Sequence, residues 1–176
     1  MKIIIYGSQY GTAREYGEEL SRRTGIMAVG YKDAVDIDKY DTIIYIGALY
    51  AGSVLGMKKT LKAISGDGEK KIIIATVGLA DPEDEENRKM IMERIEKQLS
   101  GELYSQASIH FLRGGIDYSR LNLKHRTMMA FVHKRAKQLS EEDMTAETRA
   151  IVETYGRKVS YVDFDALGPI IDEING

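Results

Sequence analysis

A short segment rich in hydroxyl groups and glycine follows the first apolar run of the chain. It consists of Gly7, Ser8, Gln9, Tyr10, Gly11 and Thr12. A helical pattern begins near Ala13, so the amide groups of this segment would lie at a helix N-terminus, where they can bind an anion such as phosphate. The segment matches neither G-x-x-x-x-G-K-[ST] nor G-x-G-x-x-G. We therefore predict a phosphate site outside those two motif classes.

Three further segments with small and aromatic residues follow later apolar runs. The second contains Ala48, Leu49, Tyr50, Ala51 and Gly52, the third Val77, Gly78 and Leu79, and the fourth Gly114, Gly115 and Tyr118. Small residues let the backbone approach a flat ligand closely, and tyrosine rings can stack on it. The phosphate site of the first segment and the aromatic, glycine-containing later segments together indicate a planar, phosphorylated ligand. Flavin mononucleotide (FMN) has both features, so we predict it as the cofactor. Tyr50 and Tyr118 are the residues that we expect to line its ring.

Apolar runs separated by helical patterns predict the elements that would position these segments. Four runs, at residues 3–6, 43–46, 72–76 and 108–112, predict strands, and a weaker run at 26–31 predicts an edge strand. The first three runs are continuous and β-branched, which is typical of strands buried on both faces of a parallel sheet. Alternating strands and helices predict an α/β fold with right-handed crossovers. Ligands of such sheets bind at the carboxyl ends of the strands.

Length and composition restrict the function further. The 176 residues predict a single domain over residues 1–176, with an extra helical segment at about 140–156. A net charge of −2 argues against a nucleic-acid partner. The chain has no cysteine, which removes disulfides, thiolate catalysis and iron–sulfur clusters. The first apolar run is too short for a signal peptide, so we predict a cytoplasmic protein with at most peripheral membrane contact.

The remaining candidate residues give no catalytic constellation. His110, His125 and His133 are poorly spaced for joint metal ligation, so we predict surface or packing roles for them and no metal site. A basic helix at 124–137 is either a solvated face or a docking surface for an acidic partner or a membrane. No side chain stands out as a general acid or base, and the catalytic residues stay unassigned.

Several segments resemble a known family. The stretch after the first strand, SQYGTARE, is similar to the flavodoxin phosphate loop. Three segments resemble the flavodoxin-domain proteins grouped with the menaquinone-dependent, flavodoxin-type protoporphyrinogen oxidase, namely YDTIIYIGALYAGS, IIIATVGLADPED and FLRGGIDYSRLNLKHRTMM. The ending VDFDALGPIIDEI is similar to the closing helix of that group. The resemblance implies a flavodoxin-like sandwich whose five-stranded parallel sheet has the order 2-1-3-4-5, with FMN at the strand 1/strand 3 switch point. It also implies a redox partner protein or a quinone as partner.

Two functions stay open at this point. The first is FMN-dependent electron transfer, with quinone-linked porphyrinogen oxidation as its enzyme version and electron shuttling as its carrier version. The second is a flavodoxin-like binding or regulatory domain that has lost FMN and redox activity. It is suggested by Tyr10 and Ala13, which stand where the family motif [ST]-x-T-G-x-T has threonines. Release of FMN from a yellow protein would distinguish the two, and the oligomeric state stays open.

Overall fold

A computed structural model describes residues 1–33, 36–64 and 70–176 of the protein. The strands within these ranges are β1 (Lys2–Gly7), β2 (Ala28–Gly30), β3 (Thr42–Tyr50), β4 (Ser53–Val54), β5 (Lys71–Gly78), β6 (Ala107–Arg113), β7 (Gly115–Asp117) and β8 (Lys158–Ser160). The α-helices are α1 (Thr12–Thr24), α2 (Met57–Leu61), α3 (Glu85–Glu96), α4 (Gly101–Gln106), α5 (Leu123–Ala136), α6 (Ala146–Thr154) and α7 (Gly168–Asn175). Among these helices none is long and apolar enough to cross a bilayer.

The main sheet has the predicted topology. Its parallel strands lie in the order β2-β1-β3-β5-β6, which is 2-1-3-4-5 when only the parallel strands are counted. The α/β flavodoxin-like fold with helices on both faces is thereby confirmed. Short β4 pairs antiparallel with the end of β3, and β7 pairs antiparallel with β8 as a separate ladder. The strand order reverses between β1 and β3, so the switch point lies where the family resemblance implied it.

Runs of isoleucine explain why the central strands are buried on both faces. Ile43 of β3 lies in register with Ile3 and Ile72, and it packs in the layer that contains α2 and α3. Ile44, one position later, faces the opposite side and packs with α1 and α7. Because successive side chains of a strand point to opposite faces, one continuous apolar run supplies two hydrophobic cores.

The C-terminal residues pack against the sheet through polar contacts as well as apolar ones. Glu173 of α7 accepts hydrogen bonds from Ser108 Oγ at 2.6 Å and His110 Nε2 at 2.8 Å, both on β6. The Tyr16 hydroxyl of α1 donates to the Arg113 carbonyl at 2.7 Å and accepts the Asp163 amide at 3.0 Å. These contacts connect the last part of the chain to α1 and to the edge of the sheet.

The elements differ from the sequence-based expectations mainly where they are short. The predicted edge strand at 26–31 is β2, and the predicted segment at about 140–156 contains a 3₁₀ helix at Glu141–Asp143 followed by α6. Helix α6 is followed by Gly156 at φ 75°, a left-handed conformation that favours glycine. Helices α2 and α4 and strands β4 and β7 were not predicted, because such short elements carry too few residues for a periodic pattern.

Candidate functional site

The carboxyl ends of the central strands open into a cavity of about 390 Å³. All the predicted site residues except Gly11 and Tyr118 line it. Those on its wall are Ser8, Gln9, Tyr10, Thr12, Ala48, Leu49, Tyr50, Ala51, Gly52, Val77, Gly78, Leu79, Gly114 and Gly115. Four segments that are distant in sequence, two of which include the last residues of β3 and β5, therefore share one cavity.

The start of helix α1 gives this cavity an open anion cradle. Gly11 precedes the helix with φ 111°, and no side chain caps the first turn. The amides of the first turn of a helix have no intrahelical partner, so here they are available to a ligand. Ser8 Oγ accepts the Gly11 amide at 3.1 Å. This contact uses an oxygen lone pair, which leaves the Ser8 hydroxyl hydrogen free to donate.

The second loop is a tight hairpin. Tyr50 and Ser53 pair across a turn whose two central residues, Ala51 and Gly52, have φ 48° and 78°. Positive φ at both central positions is the geometry of a type I′ hairpin turn. A Cβ on Gly52 would meet no atom within 4 Å. The positive φ of the turn therefore favours glycine here, and the open space beside it leaves the predicted close approach of a ligand as a prediction.

Two other glycines predicted to approach a ligand lie close to neighbouring segments of the protein. A Cβ on Gly78 would lie 2.8 Å from the Leu49 side chain. A Cβ on Gly115 would lie 2.4 Å from the Val159 carbonyl oxygen, because β7 and β8 meet there. The backbone contact accounts for glycine at position 115, whereas the end of the Leu49 side chain can shift to admit a Cβ at position 78.

The first two tyrosines meet at a buried histidine. Tyr50 Oη lies 2.6 Å from His125 Nε2, and Tyr10 Oη is hydrogen-bonded to His125 Nδ1 on the other side of the ring. Both tyrosine rings stand edge-on to the imidazole, with centroids at 5.4 and 5.5 Å. Asn122 caps helix α5 by accepting the His125 amide at 2.9 Å. Burial raises the pKa of the Tyr10 phenol. We call this arrangement the Tyr10–His125–Tyr50 bridge.

Tyr118, the third tyrosine that follows a predicted strand, lies apart from the Tyr10–His125–Tyr50 bridge. Asp117 accepts hydrogen bonds from the amide and hydroxyl of Ser119, and the chain turns there into a 3₁₀ helix at Tyr118–Arg120. The Tyr118 ring packs edge-on against Tyr155 at 5.2 Å, outside the wall of the cavity. Its buried hydroxyl has no hydrogen-bond partner among the described residues, and burial raises its pKa to about 12. The expectation that Tyr118 lines the ligand ring therefore has no support in this geometry.

Helices α5 and α6 complete the wall and were not predicted to do so. Met128, Met129 and Val132 of α5 face the cavity together with Thr148 and Ile151 of α6. Methionine at helical spacing indicates a core face, and only tertiary packing shows that a cavity lies beneath it. The Arg94–Glu147 ion pair, 2.7 Å long, connects α6 to α3. His125 carried no local signal, because its two partners lie 115 and 75 residues away.

Comparisons with known proteins gave one family match and a structural neighbour. A point mutant of flavodoxin from Pseudomonas aeruginosa is similar to this chain at 20% sequence identity, covering 79% of this chain and 99% of that chain with a TM-score of 0.43. Curated proteins gave no significant sequence match. The family model described as Flavodoxin domain matches residues 3–143. The matched part includes the four loops and α5, so the chain belongs to the flavodoxin domain family.

Proposed function

We propose that the chain binds FMN in the cavity and works in electron transfer. The observation that carries this proposal is the uncapped start of α1, which opens into the same cavity as Tyr50 at the switch point of the sheet. Membership of the flavodoxin domain family supports FMN as the ligand. When bound, FMN supplies the electron chemistry that the side chains of the protein lack.

The residues present fit the two ends of such a ligand. Ser8 and Thr12 bring hydroxyl groups and Gln9 an amide to the end where the α1 amides are open. A phosphate requires donors of this kind. The rest of the wall is largely apolar, with Leu49, Val77 and the tyrosines, as a flat aromatic ring requires.

Fluorescence titration of FMN with the purified protein tests this proposal. FMN should be quenched on binding and released on denaturation. Thr12→Asp adds a carboxylate at the first helical position, where it suits the helix dipole but repels phosphate. We expect it to weaken FMN binding at least about tenfold. Gly101→Asp is the matched control, because Gly101 begins α4 in open space. Equal affinities of the two variants would contradict the phosphate site.

The finer proposal is quinone-linked oxidation of a porphyrinogen. In this reaction the porphyrinogen loses electrons and protons, and the quinone gains them to become a quinol. The apolar cover from α5 and α6 supports a small organic reactant at the cavity. Turnover with a porphyrinogen and a menaquinone analogue would support the oxidase. Fast reduction by a flavodoxin reductase without such turnover would instead support the electron carrier.

We also propose that the redox partner, a quinone or a protein, approaches along the outer face of α5 in the cytoplasm. Leu123 and Phe131 are 81% and 61% exposed, and Lys124 and Lys134 flank them. Exposed apolar and basic residues together suit peripheral contact with an anionic membrane surface or an acidic protein. The double variant Leu123→Ser, Phe131→Ser should slow electron transfer to the partner and leave FMN affinity unchanged. Unchanged electron transfer would contradict this surface.

A second candidate function is a flavodoxin-like domain without FMN. The observation that favours it is the bond between Tyr10 and His125, because Tyr10 stands at a threonine position of the family motif and its hydroxyl is engaged within the protein. A protein that stays colourless after denaturation and refolding with excess FMN would establish this candidate and overturn the first.

A further inference from the structure

The Tyr10–His125–Tyr50 bridge is the titratable part of the cavity wall that no ion pair engages. The ionisable side chains on the described wall are Tyr10, Tyr50, His125 and Glu147. Glu147 is paired with Arg94. Among these four, imidazole is the group whose ordinary pKa lies nearest to neutral pH. The bridge is therefore the place where a change of one proton can alter the cavity.

Protonation of His125 changes which groups of the bridge donate hydrogen bonds. A neutral imidazole donates at one ring nitrogen and accepts at the other, so one of the two phenols must give its hydrogen to His125. An imidazolium donates at both nitrogens, so both phenol oxygens then accept. Both phenol hydrogens become free, and both tyrosines line the cavity.

We propose that His125 is a proton-controlled switch of ligand binding. With a protonated His125, the cavity offers two phenol donors and a nearby positive charge to an anionic or oxygen-rich ligand. Binding of such a ligand is then accompanied by proton uptake at His125, and affinity rises as the pH falls. The inference rests on the proposed function, since FMN is the anionic ligand that it invokes. His125 acts through the two tyrosines and is a positioning residue.

The other charged groups near the bridge do not supply this effect. From its own helix, Asn122 contacts His125 as a neutral cap, and the neighbouring Lys124 and Arg126 are exposed. Helix α6 contributes Glu147, which is held by Arg94. The phenols of the α1 loop and β3 are the groups that face both nitrogens of the ring.

His125→Gln isolates the proton from the bridge itself. A glutamine amide has donor and acceptor groups like a neutral imidazole, but it does not take up a second proton at neutral pH. His133→Gln is the matched control, because His133 lies on the same helix and stacks on Tyr155 instead. Thermal melting of both variants verifies that they are folded.

The experiment is titration calorimetry of FMN binding in buffers of different ionisation enthalpy, near pH 6 and pH 8. We expect wild type and His133→Gln to take up a larger fraction of a proton than His125→Gln. When the pH is lowered from 8 to 6, we expect the FMN affinity of wild type and His133→Gln to increase about fivefold more than that of His125→Gln. The FMN phosphate is common to all three titrations, so the difference between the proteins reports the effect of the substituted histidine. A nitrogen-15 spectrum of the ring shows directly whether FMN increases its protonation.

The outcomes separate this inference from the proposed function. If FMN binds and its proton uptake is equal in wild type and His125→Gln, the switch is overturned while FMN binding stands. If FMN binds at neither pH, the proposed function fails, and inorganic phosphate becomes the probe with the same expected difference. Equal proton uptake with inorganic phosphate then overturns the switch as well.

Discussion

The central strands and the helices that cover the cavity are held by different kinds of contact. Ile44 and Ile73 of the sheet are completely buried. In contrast, α5 buries only His125 and Ala136 of its 14 residues. The cover is positioned by the Tyr10–His125–Tyr50 bridge and by the Arg94–Glu147 ion pair.

Stability and ligand binding depend on different kinds of contact in this molecule. Hydrophobic burial grows with area and has no direction, so it gives the sheet most of its stability. A hydrogen bond contributes less free energy than the burial of a large apolar side chain, but it has a defined direction. The hydrogen bonds of the cover therefore orient a few side chains and add little to local stability. We therefore expect amides of α5 and α6 to exchange with solvent faster than those of β3 and β5.

The largest effect should come from the sheet. Ile44→Ala leaves a cavity in a closely packed layer and should lower the free energy of unfolding by about 2–5 kcal/mol. Phe131→Ala, on the exposed face of α5, should change it by less than about 0.5 kcal/mol. Urea unfolding of both variants measures the contrast, and similar losses would remove the distinction between sheet and cover.

A second variant tests the connection between α1 and the C-terminal residues. Tyr16→Phe removes the hydroxyl that serves both the Arg113 carbonyl and the Asp163 amide. Leaving two backbone groups without their partner should cost about 1–3 kcal/mol in the free energy of unfolding. A loss below about 0.5 kcal/mol in urea unfolding would show that water replaces the hydroxyl.

The contact of α7 with β6 should depend on pH. Burial alone would raise the pKa of Glu173, but hydrogen bonds from Ser108 and His110 and the charge of Lys71 hold it below its ordinary value. A lowered folded-state pKa stabilises the protein above the unfolded pKa of about 4.3, and this contribution is lost as the pH falls through the folded pKa.

Glu173→Gln should therefore cost about 1–2 kcal/mol near neutral pH and almost nothing in strong acid. Urea unfolding of wild type and variant across the acid range measures the difference. A difference that grows towards acid pH would contradict the assigned sign.

The ion pair of the cover should have a smaller effect. A double-mutant cycle of Arg94→Gln and Glu147→Gln should give a coupling energy of about 0.2–1 kcal/mol, because the pair is partly exposed. Hydrogen exchange of α6 should increase in both variants, while that of β5 stays unchanged. Equal acceleration in β5 would show that the cover and the sheet unfold together.

The smallest effect is expected at Tyr118. Its hydroxyl is buried without a partner among the described residues, so Tyr118→Phe removes a polar group that gains nothing from burial. We expect the free energy of unfolding to change by less than about 0.5 kcal/mol or to increase. FMN affinity should not change, since Tyr118 lies outside the cavity wall. Weaker FMN binding by the variant would place Tyr118 in the site.

The sequence could predict the sheet and most of the cavity wall for a physical reason. Strands such as β1 and β5 carry their pattern in consecutive isoleucines, and parallel strands bring their carboxyl ends to one edge. The residues after each strand are therefore neighbours whatever the details of the loops. Tyr50 was predicted in this way, and it lines the cavity.

The direction of a side chain after a strand was beyond the sequence. Tyr50 and Tyr118 were both predicted to follow a strand, yet Tyr50 is the last residue of β3 and contacts His125, whereas Tyr118 follows the short β7 and contacts Tyr155. The local turns decide between them, since a type I′ hairpin follows Tyr50 and a 3₁₀ helix contains Tyr118. A similar predicted position after a strand therefore did not give the two tyrosine side chains the same orientation.

The amino-acid sequence was sufficient to predict the fold class and the segments that share the cavity, because these follow from local hydrophobic patterns and from the geometry of a parallel sheet. The strand order was implied by the resemblance to the flavodoxin family. Only the tertiary structure decided the Tyr10–His125–Tyr50 bridge and the cover from α5 and α6. Those contacts join residues up to 115 positions apart. A hydrogen bond depends on fractions of an ångström, and no pattern within one segment encodes where a distant segment places its donor.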